Sequence, residues 1–130
     1  MRALVADDDP ELLHLVARQL EQAGAEVTCA KAGGELLQAL SQARFDVVIT
    51  DVAMPWMTGL QVMHSARTAG LMTPIVVMTA LRDPKVVDTV AALGPRAVLL
   101  LKPFGIEEFH AALRNVIGDR LDRVGAAPGM

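Results

Sequence analysis

The 130-residue chain has no tyrosine, one tryptophan and three phenylalanines, too few rings for a platform that stacks single-stranded bases. One cysteine, Cys29, excludes an internal disulfide and fits a reducing compartment, its thiol read as a small core group. The longest unbroken apolar run spans five residues, 97–101, far short of a bilayer crossing. Three aspartates at positions 7–9 interrupt the N-terminal apolar run before signal-peptide length, so the chain reads as a soluble cytoplasmic domain with no membrane association. Charge of one sign is also lacking: 12 Lys plus Arg face 15 Asp plus Glu, a net −3. That balance argues against direct nucleic-acid binding, which needs a basic surface. Apolar residues are plentiful, at 52% against 21% charged, which excludes a disordered tail and suffices for one domain.

Five short apolar runs recur along the chain: 3–6, 25–30, 47–49, 75–78 and 97–101. Four do not alternate with polar residues, the signature of strands covered on both faces. The run 25–30 does alternate and is the natural edge strand. Helical spacing fills the intervals. Asp9-Pro10 and Asp83-Pro84 each place a capping acid before a proline at the first helical position. The predicted inward stripes are Leu12, Leu13, Val16 and Leu20; Leu36, Leu37 and Leu40 on a helix over 35–44; Leu60, Met63 and Ala66; Val86, Val87 and Val90; and Ile106, Phe109, Leu113 and Val116. Strands alternating with helices imply βαβ units, hence an α/β fold with a parallel sheet wound on both sides. Residues 119–130 read as a helix extension passing into a Gly/Ala/Pro linker-like tail.

Ligands of such sheets bind beyond the carboxyl ends of the strands. Asp7, Asp8 and Asp9 follow the first run, Asp51 the third, Thr79 the fourth and Lys102 the fifth. Two carboxylates about 4 Å apart repel by roughly 4 kcal/mol at an effective dielectric near 20, so the cluster calls for a cation or a retained proton. All-oxygen donors suit Mg²⁺ better than zinc. Added to Lys102 and the Thr79 hydroxyl, they suit a group gaining negative oxygens, such as a phosphoryl carried on Asp51. His14, His64 and His110 lie in helical segments at no ligand spacing, and the methionines read as core filler.

Four stretches in order, residues 3–10 (ALVADDDP), 51–55 (DVAMP) with Gly59-Leu60, Thr79-Ala80 and Lys102-Pro103-Phe104, make residues 1–118 resemble the response-regulator receiver domain of bacterial two-component signalling. The resemblance implies a flavodoxin-like (βα)5 fold with strand order 2-1-3-4-5 and a cis bond at Lys102-Pro103. It implies Asp51 as the residue that becomes 4-aspartylphosphate. Asp7, Asp8, Asp51 and the Ala53 carbonyl would hold Mg²⁺, and Thr79 would bond the phosphoryl group. Lys102 would pair with Asp51 and then with a phosphoryl oxygen. The implied donor is a histidine kinase or phosphotransfer protein, and the implied readout is a downstream protein partner or output domain. A homodimer through the fourth helix, fifth strand and fifth helix is a further implied partner. The domain would catalyse only its own phosphotransfer and dephosphorylation.

The sequence departs from the family at Leu99, where an aromatic usually stands, and in one extra residue between Gly94 and Lys102. Ala53 and Leu81 are apolar where polar side chains can orient a hydrolytic water, which predicts a slowly decaying phosphoryl group. Trp56 reads as a partly exposed loop residue beside the site. Two alternatives stay open: an interaction module whose switch has degenerated, and an aspartyl-nucleophile phosphatase, which Ala53 disfavours because it cannot transfer protons. Setting aside Asp7, Asp8 and Asp51 leaves 12 acids against 12 bases, so the net acidity equals what a metal pocket would hold.

Overall fold

Val/Ile/Leu-rich segments that bury both faces become the central strands of one parallel sheet. The computed structural model describes residues 1–54 and 58–118. Its elements run β1 (Arg2–Ala6), α1 (Pro10–Gln22), β2 (Glu26–Ala30), α2 (Gly33–Gln42), β3 (Val47–Asp51), α3 (Gly59–Thr68), β4 (Ile75–Thr79), α4 (Pro84–Ala92), β5 (Ala97–Leu101) and α5 (Ile106–Ile117). The strand order is β2-β1-β3-β4-β5, all parallel, as expected for a flavodoxin-like sheet. Trp56 and the tail expected over 119–130 lie outside the described residues.

Period-two alternation along the strands feeds two separate cores. Val5, Val47, Ile49, Val76 and Met78 face α1 and α5. Leu4, Ala6, Val48, Ile75 and Val77 face α2, α3 and α4. Every residue of β3 and β4 is buried, so neither strand can show a polar face in its sequence. β2 is the exposed edge, and there Cys29 is exposed rather than packed in the core. The outer strand has a neighbour on one side only, which leaves its pleat incompletely covered.

The caps account for the helix starts. Asp9 accepts from the Glu11 N–H and Asp83 from the Lys85 N–H, each with proline opening the helix. α3 begins with a reciprocal capping box between Thr58 and Gln61. α2 spans 33–42 instead of the expected 35–44: Ala32 gives no side-chain cap, and extended Ala43 ends the helix. Glycines at 33 and 34 carry no apolar signal from which that start could be read. Leu37, Val87 and Ile106 are exposed, against expectation. Consecutive helical residues stand 100° apart, so Leu36 and Val86 take the sheet-facing positions and turn Leu37 and Val87 outward.

Candidate functional site

Register places the chemistry at one sheet end. Ala6 pairs with Thr50, Asp51 with Met78 and Thr79 with Leu101, so Asp7, Asp51, Thr79 and Lys102 leave adjacent strands at the same level. Oxygens of Asp7, Asp8 and Asp51 lie within 4.8 Å of one another. Asp7 and Asp51 are buried and Asp8 is exposed. Each Asp7 oxygen accepts one hydrogen bond: Oδ1 accepts the Asp9 N–H at 2.9 Å, and Oδ2 accepts from Lys102 Nζ at 3.0 Å. Lys102 also reaches Asp51 Oδ1 at 3.4 Å. The ammonium thus bridges two acids, pairing with Asp51 and sitting closer still to Asp7. Asp7 is wholly shielded from water, so its charge makes the larger demand for a partner.

These contacts set the protonation energetics. Burial, and then the neighbouring Asp7 carboxylate, push the Asp51 carboxyl above its ordinary range, against the pull of Lys102 and the Val52 N–H. Burial pulls Lys102 downward, but the Asp7 hydrogen bond and the charges of Asp51 and Asp7 outweigh it, and the ammonium titrates higher than usual. Because folded Asp51 holds its proton more tightly than the unfolded chain, its ionisation subtracts stability as pH rises. In EDTA, Asp51→Asn is therefore expected to melt at a higher temperature than the parent at pH 7. That difference should disappear below about pH 4, where the unfolded aspartate also protonates. Melting curves across pH check the sign, and a lower melting temperature for Asp51→Asn at pH 7 would contradict it.

Thr79 is buried at the end of β4, and its hydroxyl oxygen accepts the Leu81 N–H at 2.9 Å, leaving its proton free to donate. Ala53 is exposed two residues beyond Asp51. Lys102 enters through a cis bond to Pro103, and its N–H donates to the Thr79 carbonyl at 2.8 Å. Two supports were not assigned from the sequence. Thr50 is buried and donates its hydroxyl to the Asp51 carbonyl at 3.0 Å. Gly59 packs so closely that a Cβ would strike that carbonyl and the Thr50 hydroxyl. The Thr58-x-x-Gln61 spacing does mark this helix start, but the contact itself crosses from α3 to β3.

An all-oxygen cluster with two buried acids, only one ammonium between them and a carboxyl driven toward protonation fits a hard divalent cation. The arrangement as a whole, acids beyond β1 and β3, a hydroxyl beyond β4 and a lysine beyond β5, defines a response-regulator receiver domain. The chain belongs to that family, whose description matches residues 3–114. It is 39% identical over 118 residues to the response regulator MprA of Mycolicibacterium vanbaalenii, covering 90% of this chain and 50% of that protein. It is 36% identical over 115 residues to the probable transcriptional regulatory protein TcrX of Mycobacterium tuberculosis, covering 88% and 48% respectively. The chain thus spans about half the length of these curated relatives. Among solved structures, the chemotaxis response regulator CheY4 of Vibrio cholerae superposes with a TM-score of 0.79 at 36% identity, over 88% of this chain and 97% of that one. The Thermotoga maritima response regulator TrrA, solved in complex with Mg²⁺-BeF, gives 0.77 at 27% identity over 88% and 97%.

Proposed function

We propose that Asp51 accepts a phosphoryl group from a phosphohistidine on a histidine kinase or phosphotransfer protein, in an Mg²⁺-dependent reaction, and that the modified domain signals through altered protein contacts. The supporting observation is the Lys102 ammonium within 3.4 Å of Asp51 and 3.0 Å of Asp7 at the mouth of a three-carboxylate cluster. An Asp51 carboxylate oxygen attacks phosphorus, the P–N bond to the donor imidazole breaks, and that nitrogen keeps the electron pair. Lys102 neutralises charge on the transferring oxygens, and the Thr79 hydroxyl donates its proton to one of them. Mg²⁺ held by Asp7, Asp8, Asp51 and the Ala53 carbonyl would supply further neutralisation of phosphoryl charge. The domain then completes only its own transfer and dephosphorylation, and turns over no small substrate.

Residues 1–118 are the receiver in this reading, with 119–130 as a helix extension and linker-like tail. The cytoplasm, where kinase and Mg²⁺ meet, is the proposed compartment; among the described residues no helix is long and apolar enough to cross a membrane. A homodimer or a downstream partner would use the face of α4, β5 and α5. A groove of about 330 Å³ runs there beside exposed Leu81 and Val87. Leu99, also on that groove, favours the second reading, an interaction module with a degenerate switch.

Incubation with Mg²⁺ and acetyl phosphate, followed by intact mass, is expected to show one added phosphoryl group. Asp51→Asn should remove it, and EDTA should suppress it. Addition that persists in Asp51→Asn overturns the assignment. No addition to the parent supports the module instead.

A further inference from the structure

Among the described residues, one side-chain nitrogen is buried without a hydrogen-bond partner, and it belongs to Arg67 in the last turn of α3. The rest of that guanidinium is firmly held. Nε donates to the carbonyl of Leu93, the C-cap of α4, at 2.9 Å, and Nη1 to the carbonyl of Leu71, just beyond α3, also at 2.9 Å. Leu93 lies at a helix C-terminal end, where free carbonyls favour a cation, and Leu71 lies in the segment that follows α3. Burial, and then the like charge of Arg96, weigh against the guanidinium without discharging it. The two carbonyl bonds therefore hold it in place.

The other end of α4 is attached differently. Residues 80–85 are all exposed, and the loop is tied to β4 by the Leu81 N–H on the Thr79 hydroxyl. The groove between α4 and β5 is lined from this end, by Leu81, Pro84, Val87 and Asp88 against Leu99 and Leu101; Val86 is the buried anchor of this half, against Val90 and the capping Leu93 in the other. We propose that Arg67 is a clasp that fixes the C-terminal end of α4 to α3, so that movement of α4 linked to the Asp51 site is a swing of its N-terminal half about Leu93. Arg67 is a positioning residue in this scheme. It touches none of Asp7, Asp51, Thr79 or Lys102, yet it determines which end of the groove opens. The link to Asp51 rests on the phospho-acceptor reading; the clasp itself does not.

Hydrogen exchange of the full chain, read by mass spectrometry, separates the two. In unmodified protein, Arg67→Met is expected to raise exchange over residues 90–97 by about tenfold, the effect of losing a charged hydrogen bond, with the α1 segment unchanged. If Arg67→Met does not fold, Arg67→Lys, whose ammonium cannot span both carbonyls, should give a smaller rise in the same segment. No rise at 90–97, or an equal rise everywhere, overturns the clasp. With Mg²⁺ and beryllofluoride, exchange in the parent should change over 80–88 and not over 90–97, and in the variant over both. Change at 90–97 in the parent overturns the pivot. A parent with no response anywhere contradicts the phospho-acceptor reading, while the unmodified arm still decides the clasp.

Discussion

Gly59→Ala is expected to lose about 3 kcal/mol of stability, the upper part of the range for forcing an atom into a packed site. The added methyl would meet the Asp51 carbonyl and the Thr50 hydroxyl, and those two are already bonded to each other. Neither has room to retreat. The carbonyl belongs to the last residue of a buried central strand, and Thr50 is fully buried beside it. Relief would have to come from sliding α3, which is pinned by its capping box and by the Gly59 N–H on the Val52 carbonyl at 3.1 Å. For a domain of this size the loss corresponds to roughly 10 °C in melting temperature. Thermal and urea unfolding of the variant measure it. Because the strain falls on Asp51 itself, phosphoryl addition from acetyl phosphate should slow even at temperatures where Gly59→Ala is folded. A variant with parental stability would show that α3 adjusts freely and that the glycine is not required by contact with β3.

Lys102→Ala is expected to cost about 3 kcal/mol in EDTA, near the lower bound for removing one partner of a buried ion pair. The lower bound applies because the lysine side chain keeps 21% exposure while the Asp7 side chain has none. Without the ammonium, the Asp7 side chain retains, among the described residues, only the Asp9 N–H, and Asp51 faces a second carboxylate with no cation between them. Two measurements distinguish this from simple loss of packing. Millimolar Mg²⁺ should restore most of the stability of Lys102→Ala, since a divalent ion answers the same charge. In EDTA, combining Lys102→Ala with Asp51→Asn should destabilise less than the sum of the single changes, because the repulsion that Lys102 offsets is then absent. Equal losses with and without Mg²⁺, together with additive effects, would place the role of Lys102 in packing alone. Phosphoryl addition should fall in the Lys102 variant even with Mg²⁺ present, because the metal does not replace the ammonium on the transferring oxygens.

Much of the scaffold is legible in the residues because its causes are local or repetitive. Val47–Ile49 and Ile75–Met78 lack alternation because both their faces are covered, and the composition records that directly. Asp9-Pro10 and Asp83-Pro84 start helices through contacts two residues long. Strand-end placement then selects Asp7, Asp51, Thr79 and Lys102 from the sequence itself, since a parallel sheet gathers its C-terminal ends on one side. The positions at which the structure departs from the sequence pattern share a different cause. Leu37, Val87 and Ile106 are as apolar as their buried neighbours, and only the packing of each helix on the sheet determines which residue turns inward. Cys29 is exposed because β2 is an edge, a property of topology and not of the residue.

The same division runs through the site. Composition, spacing and strand-end position determine which groups assemble and that their charge calls for a cation or a retained proton. The partition of the Lys102 ammonium between Asp7 and Asp51 depends on how deeply each acid is buried, and burial is set by residues far apart in the chain. The nearness of Gly59 to the Asp51 carbonyl, and the reach of Arg67 from α3 to the end of α4, depend in the same way on how helices seat against a finished sheet. Distances of a few ångströms between residues dozens of positions apart are products of close packing, in which every neighbour contributes to each position. A linear pattern encodes periodicity and local bonding, and it carries no record of those distances.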